Sequence, residues 1–140
     1  VKDMMADHGL KRTANFKLYM MVEIPNNVFI LDDFIDIGID GISIGSNDLA
    51  QLTLGLDRDS GIVAHISNEN DPAVKTLVAM AIKKCRERGK YIGFCGQAPS
   101  DYPDFTRFLV QNNIEAVSLN PDSVIPMIMA ISEEEKKLGN

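Results

Sequence analysis

At 140 residues the chain is long enough for one domain with a sizeable core. Its formal net charge of -6 and pI near 4.8 argue against a nucleic-acid partner, whose binders carry a basic patch. They leave phosphorylated ligands open, since local loops and metals bind those. Cys85 and Cys95 are the only cysteines, and His8 and His65 stand apart from each other, which excludes a cysteine/histidine metal cluster. The pattern reads as reduced thiols in a cytoplasmic protein rather than as a disulfide scaffold.

The longest apolar stretches fall far short of a bilayer span, so no membrane partner is expected. Lys2, Asp3 and Asp7 break any signal-like run. The opening on Val1 leads us to expect a segment of a longer chain.

In chain order, "KLYMMVEI" (17–24) is a nearly continuous apolar run that ends on a charge, and it reads as a strand. "VFILDDFID" (28–36) reads as a helix, with Asn27 as N-cap and Gly38 as stop. "GISIGS" (41–46) is a second strand. "IVAHISNEND" (62–71), which holds His65, is assigned no role. "DPAVKTLVAMAIKKCRERG" (71–89) is the clearest helix: Asp71 caps it, Pro72 enters its first turn, and Gly89 follows a basic last turn. Val74, Leu77, Val78, Ala81, Ile82 and Cys85 recur at helical spacing, so Cys85 belongs to a core stripe.

"YIGFCG" (91–96) is a third strand, "DYPDFTRFLVQNN" (101–113) a helix, and "AVSLN" (116–120) a fourth strand. "PDSVIPMIMAISEEEKKL" (121–138) is a last helix, with Pro126 in a first turn or at a kink. Its charged end, Glu133 to Lys137, reads as a solvated face. Strand and helix alternate four times, which predicts an α/β protein whose parallel strands are covered on both faces. An open doubly wound sheet and a barrel both satisfy that pattern. A whole (β/α)8 barrel takes eight units and about 250 residues, so the content here is about half of one.

Each strand runs into polar residues: Glu23-Ile24-Pro25, Gly45-Ser46-Asn47-Asp48, Cys95-Gly96-Gln97 and Asn120-Pro121-Asp122. In a parallel sheet these ends share one side, the side at which open sheets and barrels bind ligands. Glu23, closing an apolar strand, must be paired with a cation or ligate a metal, because an unpaired buried charge is very costly. Asp48 reads either as the cap of a short helix from Leu49 or as a second carboxylate beside Glu23. Two carboxylates at neighbouring strand ends suit Mg²⁺, which keeps its other positions for water and substrate oxygens. The Gly45–Asn47 turn offers N–H groups to an anion. Cys95 is either an inert packed thiol or, between Gly93 and Gly96, a group that moves a proton. A thiol's reference pKa of about 8.5 suits that task, and no adjacent histidine points to covalent catalysis.

"MMVEIPNNVFI", "GISIGSNDLAQLTLGLDRDSG", "GFCGQAPSD" and "VSLNPDSV" together resemble the C-terminal part of the phosphoenolpyruvate (PEP) synthases, or pyruvate, water dikinases, among the PEP-utilising enzymes. The resemblance runs from about Lys17 to Ile131. It implies that residues 1–140 are the C-terminal half of a PEP/pyruvate-binding (β/α)8 TIM barrel, about four βα units. It implies Mg²⁺ on Glu23 and Asp48, pyruvate or PEP against Gly45, Ser46 and Asn47, and Cys95 moving the proton at the methyl carbon. The parent reaction would make AMP, PEP and phosphate from ATP, pyruvate and water through a phosphohistidine. ATP-grasp and phosphohistidine domains, and the arginines that bind the substrate phosphate, would then lie outside this segment. His65 is not that phosphohistidine, whose motif is absent. A half-barrel leaves open edges, so an inactive, self-associating homo-oligomer is expected of the segment alone. The rival readings are a piece of pyruvate, phosphate dikinase or of the PEP-dependent phosphotransferase first enzyme, and a non-catalytic pyruvate-binding or regulatory module.

Overall fold

A computed structural model describes residues 1–57, 59–63, 66 and 68–139. The elements in order are α1 (Lys2–Asp7), β1 (Tyr19–Val22), α2 (Pro25–Phe29), α3 (Leu31–Asp36), β2 (Gly41–Ile44) and α4 (Ser46–Leu54). They continue with α5 (Pro72–Glu87), β3 (Tyr91–Phe94), α6 (Ala98–Asp101), α7 (Pro103–Gln111), β4 (Ala116–Val117), a 3₁₀ turn (Pro121–Ser123) and α8 (Val124–Leu138). The four strands form one parallel sheet in the order β1-β2-β3-β4. No helix among the described residues is long and apolar enough to cross a membrane.

The register explains where the core lies. Val22, Ile44, Phe94 and Val117 stand in one row, and Met20, Ile42 and Ile92 in the row two residues earlier. Side chains alternate along a strand, so these rows share a face. That face packs on Val28, Leu31 and Ile35, on Leu49 and Ala50, on the stripe of α5 and on Phe105 and Leu109 of α7. Each fully buried Ile, Leu or Phe contributes roughly 1.5–3 kcal/mol. The opposite face carries Tyr19, Met21, Gly41, Ser43, Tyr91 and Gly93, none of which joins the core cluster. Tyr19 and Met21 are 46% and 41% exposed. The expectation of strands covered on both faces is therefore corrected: parallel neighbours in sequence order, joined by crossovers of one hand, put the connecting helices on one side. On the uncovered side Tyr19 and Tyr91 stack at 4.7 Å, and the glycine between them is required. A Cβ on Gly41 would lie 2.4 Å from the Tyr91 carbonyl oxygen.

The helix predicted from Asp71 is observed: Asp71 Oδ1 accepts from the Ala73 N–H at 2.7 Å, and Gly89 ends the turn at φ +59. Other helix boundaries move for local reasons. Pro25, preset for a first helical turn, starts α2 early. Asn27 therefore sits third in the helix, and its side chain accepts back from the Ile24 N–H at 3.3 Å instead of serving as the N-cap residue. α4 starts at Ser46, so Asp48 lies inside its first turn rather than capping a helix from Leu49. The helix predicted over 101–113 is broken at Tyr102, extended ahead of Pro103, because a residue before proline is driven out of the helical region. Pro126 falls in the first turn of α8.

The charged end of α8 is not wholly solvated. Glu134 is only 5% exposed and accepts from Gln111 Nε2 at 2.7 Å and from Lys137 Nζ at 3.1 Å. The Gln111 amide, with Lys137 second, holds its carboxyl below the usual carboxylate range. At the N-terminal end of the sheet, Asp40 Oδ2 accepts from the Leu18 N–H at 2.6 Å and from Arg12, and its carboxyl is lowered first by the Leu18 N–H.

Candidate functional site at the C-terminal strand ends

The ladder runs one residue past three of the strands. The Gly45, Cys95 and Ser118 N–H groups donate to the Val22, Ile44 and Phe94 carbonyls at 3.0, 2.9 and 2.8 Å. Glu23, Gly45, Cys95 and Ser118 thus form the next row across the sheet. By alternation that row belongs to the uncovered face, with Met21, Ser43 and Gly93. Gly45 confirms the direction: a Cβ there would lie 2.9 Å from Met21 Cε and 3.1 Å from Glu23 Oε2. The Glu23 carboxylate, half-buried, occupies the space over Gly45 that any larger residue would claim.

The loops after β2 and β3 interlock. Ser46 is fully buried and its Oγ donates to Glu69 Oε2. The same oxygen accepts from the Ala98 N–H at 3.3 Å. Asn47 Oδ1 accepts from the Gln97 N–H at 3.4 Å. The fourth loop joins through the Asn120 N–H, which donates to Ser100 Oγ at 2.9 Å. Gly96 makes this possible, because a Cβ on it would lie 1.5 Å from Ser46 Oγ.

The structure therefore brings Glu23, Gly45 and Cys95 into one row, with Ser46 and Asn47 bonded, directly or through Glu69, to the loop that follows Cys95. Asp48 is half-buried in the first turn of α4, three residues beyond that row. Among the described residues no three His, Cys, Asp or Glu side chains are grouped to hold an ion. Cys95 is exposed, and its Sγ donates to the Ile44 carbonyl at 3.4 Å. Cys85 is buried in the core, and burial, with Glu115 second, pushes its thiol up to about 12. A groove of about 530 Å³ lies elsewhere, along the outer edge of β4 against Ile128 and Ile131 of α8.

Glu69 escaped sequence reasoning, for it lies in the unpatterned stretch 62–71. His65 of that stretch lies outside the described residues. A signal that could have pointed to Glu69 was Ser46: a hydroxyl closing a buried strand needs an acceptor.

Comparison with known proteins identifies relatives of the chain. The chain is 54% identical over 136 residues to a phosphoenolpyruvate synthase of Synechocystis sp., covering 96% of the chain and 16% of that protein. It is 56% identical over 134 residues to one of Pseudomonas aeruginosa, covering 95% of the chain and 17% of that protein. With one of Escherichia coli it shares 47% over 137 residues, covering 97% of the chain and 17% of that protein. The chain thus spans about a sixth of the length of the curated relatives it matches. Residues 1–136 match the family described as PEP-utilising enzyme, PEP-binding domain, and the chain belongs to that family.

Proposed function

We propose that this chain is the C-terminal half of the PEP/pyruvate-binding TIM barrel of a phosphoenolpyruvate synthase, which makes AMP, PEP and phosphate from ATP, pyruvate and water. The observation that carries the reading is the row Glu23, Gly45, Cys95 on the uncovered face at the C-terminal strand ends. Barrel enzymes bind substrate at that end. The sequential strand order, the core helices on one side and the apolar face left bare at Tyr19 and Met21 support half a barrel. ATP-grasp and phosphohistidine domains would occupy part of the parent's remaining length.

The donor set fits Mg²⁺. Glu23 and Asp48 are hard carboxylates, two in number, and glycine at 45 leaves the Glu23 carboxylate room over the strand end. When bound there, Mg²⁺ supplies Lewis-acid polarisation that acidifies a methyl group next to a carbonyl. Asn47 orients pyruvate or PEP, and Gly45 with the fully buried Ser46 shapes the turn that presents it. Cys95, as thiolate, takes a proton from the methyl carbon, and the C–H electron pair becomes the double bond of the enolate. The enolate oxygen attacks the phosphohistidine phosphorus, the P–N bond breaks, and its electron pair returns to the imidazole. In the reverse direction the Cys95 thiol returns the proton to carbon.

Replacing Cys95 by alanine in the full-length enzyme tests this. PEP formation should fall at least about 100-fold, the lower end of what a positioned acid/base contributes. Phosphorylation of the enzyme by ATP should persist. A Cys95→Ala enzyme that makes PEP at the parent rate would refute the role.

A further inference from the structure

We propose that Glu69 is a positioning residue: one carboxylate oxygen braces the loop after β2 against the loop after β3. The inference rests on the reading above, because the brace matters through the groups it holds apart. Glu69 Oε2 accepts from Ser46 Oγ and from the Ala98 N–H at 3.3 Å. Ser46 follows Gly45 directly and precedes Asp48 by two residues, while Ala98 lies three residues past Cys95. The brace therefore joins the turn that carries the substrate and cation groups to the turn that carries the thiol. Asn47 and Gln97 make a second, longer tie between the same loops at 3.4 Å.

Three observations make this more than a chance contact. Ser46 is fully buried, so its hydroxyl needs an acceptor, and Glu69 is it. Gly96 has no room for a Cβ, which would lie 1.5 Å from Ser46 Oγ and 3.1 Å from Glu69 Oε2. Glu69 also lies on neither loop: it sits two residues ahead of Asp71, the N-cap of α5. The cap anchors the brace to the rigid helix α5, so the two loops are held by a third, independent element. A misplacement of about 1 Å between reacting groups costs about 100-fold in rate, which is the scale on which such a brace acts.

The test uses full-length enzyme carrying Glu69→Ala or Glu69→Gln. Glu69→Ala removes both bonds and should lower kcat for PEP formation about 10- to 100-fold, with the KM for pyruvate changed less than about threefold. Glu69→Gln keeps an oxygen that accepts from both donors and should restore kcat to within about threefold of the parent. Hydrogen exchange across residues 95–101 should quicken at least about tenfold in Glu69→Ala and not in Glu69→Gln. Parent-like kcat or unchanged exchange in Glu69→Ala overturns the brace. A Glu69→Gln enzyme as slow as Glu69→Ala also overturns it, because the charge would then act directly. An unmodified enzyme that forms no PEP refutes the reaction assigned above, and the exchange measurement still decides the brace.

Discussion

Gly96→Ala is the sharpest single perturbation of the candidate site. The added methyl would lie 1.5 Å from Ser46 Oγ and 2.8 Å from Ser46 Cβ. Carbon atoms pack best at about 3.5–4.0 Å, so the hydroxyl must move away by well over an ångström. Ser46 is fully buried in the first turn of α4, so its way out is a χ1 rotation that breaks the bond to Glu69. A buried hydroxyl left unpaired costs about 1–3 kcal/mol. The remaining overlap with Ser46 Cβ adds an overpacking cost of about 1–3 kcal/mol. Together these reach about 2–6 kcal/mol, against about 5–15 kcal/mol for a whole domain. The stiffer unfolded chain returns only about 0.4–1 kcal/mol, so the steric effect wins. Urea unfolding should show a lower midpoint at unchanged slope. The decisive comparison is the double variant Ser46→Ala/Gly96→Ala, in which the 1.5 Å contact no longer exists. It should be more stable than Gly96→Ala alone by about 0.5–3 kcal/mol, the range of coupling between touching residues. A double variant as unstable as the sum of the two single ones would refute the reasoning.

The remaining expectations concern the thiols, the cation and the free edges. In the folded protein Cys95 should react with a thiol reagent and Cys85 only after unfolding. Because burial raises Cys85 from 9.0 to about 12, the folded state keeps a proton that the unfolded chain releases. Stability should therefore be undiminished below about pH 9 and fall as pH rises toward 12. Cys85→Ala should remove that component, and an unaltered alkaline loss in the variant would show another group at work. Calorimetry of the full-length enzyme with oxalate, an enolate mimic, should give heat with Mg²⁺ and none after chelation. Glu23→Gln or Asp48→Asn should reproduce the chelated result, and normal binding by both variants would remove these carboxylates from the cation seat. Size-exclusion chromatography of the 140-residue segment should show concentration-dependent association through the bare sheet face and edges, and a monomer at every concentration would contradict the half-barrel.

The elements whose boundaries were legible are those in which a local signal and the core agree. α5 has its cap, its proline, its stripe and its terminal glycine in sequence, and all four hold in the structure. The boundaries that moved are those in which proline chemistry overrode hydrophobic pattern. Pro25 drew a helix start forward, and Pro103 broke a helix at the residue before it. The bare face was not legible for a different reason. "YMMV" and "YIGF" are apolar at every position, as strands buried on both faces are. Composition reports that both faces avoid water, without saying whether this stretch of chain supplies the cover.

That distinction carries over to the site. Glu23, Gly45 and Cys95 were legible because each follows its own strand by one residue, and parallel pairing then brings equal positions together with no further information. Period-two alternation next assigns the row to one face, the one opposite the core helices. A ligand bound to that row would contact the same surface that lacks a cover, so substrate binding and completion of the fold would depend on one another. Glu69 could not be read in this way, since its partners are 23 and 29 residues away and belong to two different loops. Nothing periodic connects them. Only the buried hydroxyl of Ser46 and the missing Cβ of Gly96 demand a group in that space, and both demands arise once β2 and β3 lie side by side.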